Sequence, residues 1–283
     1  MWFRDAPVWR IHLGERRLIR TIHSGLWPRR SAGCDSLEWV PRQDAEPWRG
    51  AVSALAQLLA GQGPGARAPQ LQVVLSGAFV RWQILAWRPE LTRPKELAAY
   101  ASLRFTETFG KAARDWDVLH SPQPPGKAVP ACAVDAALMQ ALRSVCQDSG
   151  ARLDLVTPYF ASALDRGCPA LKSRLAWFGA IEPERVTLAL LQNGDWLGLH
   201  SQRVEDHWRD VLPGMMARVA IAAGLAPASA ALHLTGLGPA QVSGSAMPFV
   251  WLAPRDGILE PADARRMAPA VVTTSGASPR RRH

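Results

Sequence analysis

Cysteine is sparse. Only Cys34, Cys132, Cys146 and Cys168 occur in 283 residues, and no two form a Cys-x-x-Cys pair. That spacing excludes a disulfide framework and a zinc-ribbon type of site, and it suits a reducing cytoplasm. No apolar run approaches the about 20 residues of a transmembrane helix. The best candidate, Val219 to Leu232, contains Gly224 and Pro227. No apolar core follows the charged opening residues, so no secretory signal is expected. G-x-S-x-G, P-loop and H-E-x-x-H patterns are all missing, which leaves hydrolase, P-loop NTPase and zincin readings without support. The seven histidines form no ligand set by spacing.

Lysine is nearly absent as well, with four residues against 29 arginines. The net charge of +9 is uneven. Residues 1–30 hold seven arginines against Asp5 and Glu15, a local balance of +5, and Arg280, Arg281 and Arg282 sit at the end. A basic edge and tail can meet phosphates or anionic lipid heads. No RNP-like or helix-turn-helix signature accompanies them, so no nucleic-acid partner is expected. What is plentiful is apolar material: 48% hydrophobic, with 12 tryptophans. This supports one large domain or two small ones and excludes wholesale disorder.

The alternation in residues 8–14 predicts a strand, and residues 17–23 its hairpin partner. A Pro/Arg/Gly-rich loop is expected from Gly25 to about Pro47. Pro47 opens a helix with a face of Val52, Leu55, Ala56, Leu58 and Leu59. Leu71 to Leu75 and Phe79 to Trp87 read as strands. Thr92, Pro94 and Glu96 start a helix striped by Leu97, Ala101, Phe105 and Phe109 and closed by Gly110. Strands follow at Trp116 to His120 and Ala128 to Val134. An Asp135-capped helix comes next, with Leu138, Leu142 and Val145 on its apolar face, then a strand over Leu153 to Val156. The order β-α-β-β-α-β is that of a split βαβ unit. A short helix after Thr157-Pro158 precedes three strands, Leu175 to Ile181, Val186 to Leu191 and Trp196 to His200. Asn193-Gly194 is the hairpin signal between the last two. A helical region over about 205–223, broken or kinked at Pro213-Gly214, leads to a strand over Leu232 to Leu234. From Ala268 the tail reads as disordered.

A hairpin and helix, an inserted αβ unit and a second hairpin-first αβ unit resemble the duplicated architecture of actin-like ATPases. The segments L-S-G-A-F-V-R-W-Q-I-L-A-W (75–87) and W-F-G-A-I-E-P-E-R-V-T-L-A-L-L-Q-N-G-D-W (177–196) are similar to segments of bacterial PilM-like proteins. Those proteins serve type IV pilus assembly and share their fold with the cytoplasmic part of GspL in type II secretion. The resemblance implies an α/β actin-like fold. A first half over 1–157 would include an inserted βαββαβ subdomain at about 79–157, of the kind PilM shares with FtsA. A second half would span 158–255, and 256–283 would be tail.

The resemblance also implies where a nucleotide site would lie. Actin-like proteins carry Asp-x-Gly in the first hairpin; here His12 replaces the acid and Gly14 keeps the turn. Imidazole is a poor partner for hydrated magnesium. The second hairpin has Glu182-Pro183-Glu184, and Glu184 would bring negative charge where a phosphate should lie. The third loop keeps part of its pattern in Thr235, Gly236 and Gly238. The chain is therefore expected to be a degenerate, non-catalytic member of the class, with no required cofactor and at most residual ATP binding. An active ATPase or sugar kinase of this fold is the alternative, and a basic nucleic-acid-binding protein is a further one.

The partner implied is a PilN-like inner-membrane protein, whose short N-terminal cytoplasmic segment would lie in a groove between the inserted subdomain and the first αβ unit. The groove would be bounded near Leu71 to Leu75 and Phe79 to Trp87, with Phe79, Trp82 and Trp87 as binding candidates. Self-association is a further possibility. Membrane contact is expected only through the partner, since no counterpart of the transmembrane helix and periplasmic domain of GspL is expected in this chain.

Overall fold

The computed structural model describes residues 6–24, 30–41, 46–62, 67–91, 93–167, 171, 175–204, 207–225, 230–236 and 248–252. Strand β1 (Val8–Leu13) is buried along its whole length, as a central strand covered on both faces must be. It pairs antiparallel with β2 (Arg17–Ser24). Strand β3 (Arg30–Glu38) extends the sheet beyond β2. This strand corrects the expected loop over 25–47. Its sequence R-S-A-G-C-D-S-L-E has neither alternation nor strand-forming residues. Backbone pairing with β2 and the cross-strand ion pairs Arg20–Asp35 and Arg17–Glu38 hold it in place.

Helix α1 (Pro47–Ala60) starts at a proline and buries Trp48, Ala51, Val52, Leu55 and Leu59. Strand β4 (Gln70–Leu75) then joins β1 in parallel. A single 3-10 turn, Gly77–Phe79, opens the inserted segment. It comprises β5 (Val80–Leu85), α2 (Pro94–Phe109), β6 (Trp116–His120) and β7 (Val129–Asp135), followed by α3 (Ala136–Asp148) and β8 (Arg152–Pro158). Thr92 lies outside the described residues. The N-cap of α2 is Arg93, whose backbone N–H donates to Glu96 Oε2 at 3.1 Å. Ala101 and Phe105 are fully buried, and Gly110 ends the helix at a φ of 78°.

The order β-α-β-β-α-β stands as read, but the elements divide between two sheets. Strands β5, β7 and β6 form their own antiparallel sheet, whereas β8 pairs with β4 in parallel and completes a first sheet of order β3-β2-β1-β4-β8. A split βαβ unit would have seated β8 in the small sheet. Helix α3 decides otherwise. Asp135 Oδ1 accepts the Ala137 N–H at 2.8 Å, and its Oδ2 accepts Trp48 Nε1–H of α1 at 3.1 Å. Leu138, Leu142 and Cys146 are thereby buried against the first sheet, beside α1.

The second half repeats the first. After α4 (Tyr159–Gly167) come β9 (Leu175–Glu182), β10 (Arg185–Gln192), β11 (Asp195–Arg203), α5 (Trp208–Ala222), β12 (Ala231–Gly236) and β13 (Val250–Trp251). The sheet order is β11-β10-β9-β12-β13, with two antiparallel pairings followed by two parallel ones, as in the first sheet. The β10–β11 turn is Asn193-Gly194 with φ of 54° and 83°, the signature of a type I′ hairpin. Helix α5 runs through Pro213 as one element rather than breaking there. Leu212, Met215 and Val219 are anchored under β10 and carry it past the proline.

The layers follow from which face each side chain takes. Helices α1 and α3 cover one face of the first sheet. Helix α4 is sandwiched between the sheets, with Tyr159 and Phe160 among Ile19, Val74, Phe178 and Ala189. Helix α5 covers the far face of the second sheet. The small sheet turns Leu85, Ala131 and Ala133 toward α2, and Val80, Cys132 and Val134 toward the first lobe. The tail from 256 onward lies outside the described residues.

Replacing Gly194 with alanine should cost about 1 kcal/mol, since its left-handed backbone penalises a Cβ. Urea denaturation of the two proteins checks this, and equal midpoints would refute the turn type.

Candidate functional site

The two central hairpins face each other across a cleft. Turn 14–16 follows β1, and turn 183–184 follows β9. Between their bases lies a cluster with hardly any solvent contact. The side chains of His12 and Glu182 are 3% and 2% exposed, and His12 Nε2 lies 3.3 Å from Glu182 Oε2. The other carboxylate oxygen, Oε1, accepts the Gly77 backbone N–H at 2.9 Å. A carboxylate only accepts hydrogen bonds, so this contact places a proton on His12 Nε2. Nδ1 has no partner among the described residues. Tyr159 packs its ring edge-on to His12, with centroids 5.6 Å apart. Burial, reinforced by the Glu182 charge, pushes the pKa of the Tyr159 hydroxyl far up, against a smaller lowering by Thr235.

The approach of the lobes is tight at Gly77. A Cβ there would lie 2.8 Å from Arg185 Cδ, 3.0 Å from Glu182 Oε1 and 3.3 Å from Thr187 Oγ1. Thr187 and Ser201 hydroxyls bond each other at 2.9 Å, and Arg185 reaches Ser201 at 3.4 Å. Desolvation, joined by the neighbouring Arg81 charge, lowers the Arg185 pKa from its usual value.

A cavity of about 350 Å³ opens beside this cluster. Four carboxylates line it, those of Glu15, Glu38, Glu182 and Glu184, against the guanidinium groups of Arg16, Arg17 and Arg185, a formal balance of −1. It is Glu182, rather than Glu184, that reaches the interior. Glu184 stays at the rim, with Arg16 Nε at 3.0 Å and Arg203 at 3.4 Å. Partial burial, with Glu15 nearby, raises its pKa even against the pull of Arg16.

The structure thus brings His12, Glu182 and Thr235 to one centre, with Gly14 and Glu184 at its rim. Gly14 donates its N–H to the Arg17 carbonyl at 2.8 Å and holds the hairpin turn. Gly236 ends β12 against Ile181 and Trp251. Gly238 lies outside the described residues. Residue types and spacing left Gly77, Tyr159 and Arg185 unnoticed, because each belongs to the site only through the approach of the lobes. The Ser-Gly that follows the strand L-Q-V-V-L was the one available hint.

The partner candidates separate in the structure. Phe79 is 8% exposed, inside the core of the first lobe. Trp82 packs edge-on to Phe160 at 5.6 Å, between the lobes. Trp87 is 43% exposed. Strand β4, which holds Leu71 to Leu75, is flanked by β1 and β8, so neither of its edges is open for main-chain pairing. Among the described residues, no three His, Cys, Asp or Glu side chains are grouped to hold a metal ion.

Duplicated lobes facing across a cleft, with a small sheet inserted into the first, define an actin-like ATPase fold. No family model and no curated protein matches the sequence. Solved structures do. The cytoplasmic domain of EpsL, an inner-membrane component of the type II secretion system of Vibrio cholerae, superposes with a TM-score of 0.56 at 10% identity, over 90% of this chain and 91% of that one. A Bacteroides thetaiotaomicron protein of actin-like ATPase fold and unknown function gives 0.56 at 14% identity, over 84% of each chain. A PilM–PilN type IV pilus biogenesis complex gives 0.55 at 16% identity, over 84% and 83%. The chain shares with these proteins the fold that its sequence segments resembled.

Replacing Gly77 with alanine should cost about 1–3 kcal/mol, the usual range for forcing a methyl group into a tight contact. Equal denaturation midpoints for variant and wild type would show that the lobes do not press on this residue.

Proposed function

We propose that this chain is a non-catalytic cytoplasmic scaffold of type IV pilus or related type II secretion assembly, and that it binds the N-terminal cytoplasmic segment of a PilN-like inner-membrane protein. The observation that carries the non-catalytic part is the Glu182 carboxylate, buried in the cleft on His12 and Gly77. An anion already fills the centre, and an imidazole stands at the first hairpin where a carboxylate would orient magnesium-bound water. The assembly part rests on the likeness to the EpsL domain and to PilM, two proteins of such machines. No helix among the described residues is long and apolar enough to cross a membrane, which accords with attachment through a partner.

Trp87 is the anchor that this reading assigns to the partner peptide. Its ring is exposed just beyond β5, an outer strand of the small sheet. Phe79 and Trp82 act beneath it, as packing that keeps β5 in place.

Two measurements test the proposal. Calorimetry with ATP and magnesium should show no binding at micromolar concentrations; a micromolar dissociation constant would refute the non-catalytic reading. Titration with the N-terminal cytoplasmic peptide of a PilN-like inner-membrane protein should show saturable binding. Trp87→Ala should weaken it by about 2 kcal/mol with the melting temperature unchanged. Binding that survives the substitution intact would move the site away from Trp87.

A further inference from the structure

We infer that Glu182 is an internal anionic ligand, a carboxylate of the second lobe seated in an anion site of the first, and that it locks the two lobes together without any nucleotide. The inference concerns the cleft alone and holds whichever partner the chain binds.

Both donors belong to the first lobe. His12 lies one residue before the end of β1, and Gly77 follows β4, the strand parallel to β1. The acceptor comes from the end of β9, so 170 and 105 residues separate it from its two partners. One oxygen takes the ring N–H and the other takes the backbone N–H. A small anion held in an anion hole is bound in the same way, by converging donors at a site closed to water. The neighbours fit a negative occupant. The Arg185 side chain lies beside Gly77, and Gly77 has no side chain to obstruct the carboxylate's approach. Removing the carboxylate would leave a buried ring N–H and a buried backbone N–H without an acceptor, which is costly for both. Opening of the cleft therefore requires Glu182 to leave both donors.

An internal ligand can be replaced by an external one. In the full chain, Glu182→Ala should melt lower than wild type, and sodium formate should raise its melting temperature by several degrees more than sodium chloride at equal ionic strength. Wild type should not distinguish the two salts, and neither should the double variant His12→Ala/Glu182→Ala. A Glu182→Ala protein that folds only in formate gives the same answer. Formate that does no more than chloride overturns the inference. Should Glu182→Ala fold in neither salt, Glu182→Gln decides, because it keeps the shape and loses the charge. Hydrogen exchange at the Gly77 amide should be at least tenfold faster in Glu182→Gln than in wild type, while amides of α3 are unchanged. Equal exchange at Gly77 overturns the lock.

Discussion

A buried carboxylate sits where the two lobes meet. Glu182 is carried by the central strand of the second sheet, yet its oxygens are satisfied by the end of the first sheet's central strand and by the turn that leads into the inserted segment. A carboxylate taken out of water is destabilising by several kcal/mol unless it is fully hydrogen-bonded. The relative placement of the lobes is therefore tied to two donor positions, with little freedom to slide. Gly77 is small so that the approach can happen, and His12 supplies a proton where a second acid would have repelled.

Around that centre the lobes are joined by apolar packing. Phe160 of α4 touches Trp82 of the inserted sheet and Phe178 and Trp196 of the second sheet, with ring centroids 5.6, 5.5 and 6.3 Å apart. Strand β5 lies alongside β11 at the same boundary. The inserted segment is thus wedged against both lobes rather than hung from one. Movement of the second lobe would be felt directly by the small sheet.

Much of this was legible in residue order because the signals are local. Asn193-Gly194 needs only its own backbone preference to form a turn. Asp135 needs only the next two residues to cap α3, and Gly110 needs only the end of α2. The repeated hairpins announce themselves in the same way, since alternation and a two-residue turn are properties of neighbours. Strand β3 was missed because nothing local makes it a strand; it exists because β2 presents an open edge and arginines that its acids can meet. The placement of β8 was misread for a similar reason. A β-α-β-β-α-β run looks the same whether its last strand returns to the small sheet or to the large one, and the choice was made by α3 packing beside α1, with Trp48 reaching Asp135.

The candidate site divides along the same line. The sequence pointed to the actin-like class by resemblance, and it carries a histidine, His12, in the first hairpin and two carboxylates in the second. Only the tertiary structure decided which carboxylate turns inward and what it meets. Glu182 and Glu184 are two residues apart at the end of one strand and are chemically identical. One lies in the interior against donors more than a hundred positions away, and the other sits at the rim against Arg16. No local pattern distinguishes them, because burial of a charge depends on donors that distant segments bring to it.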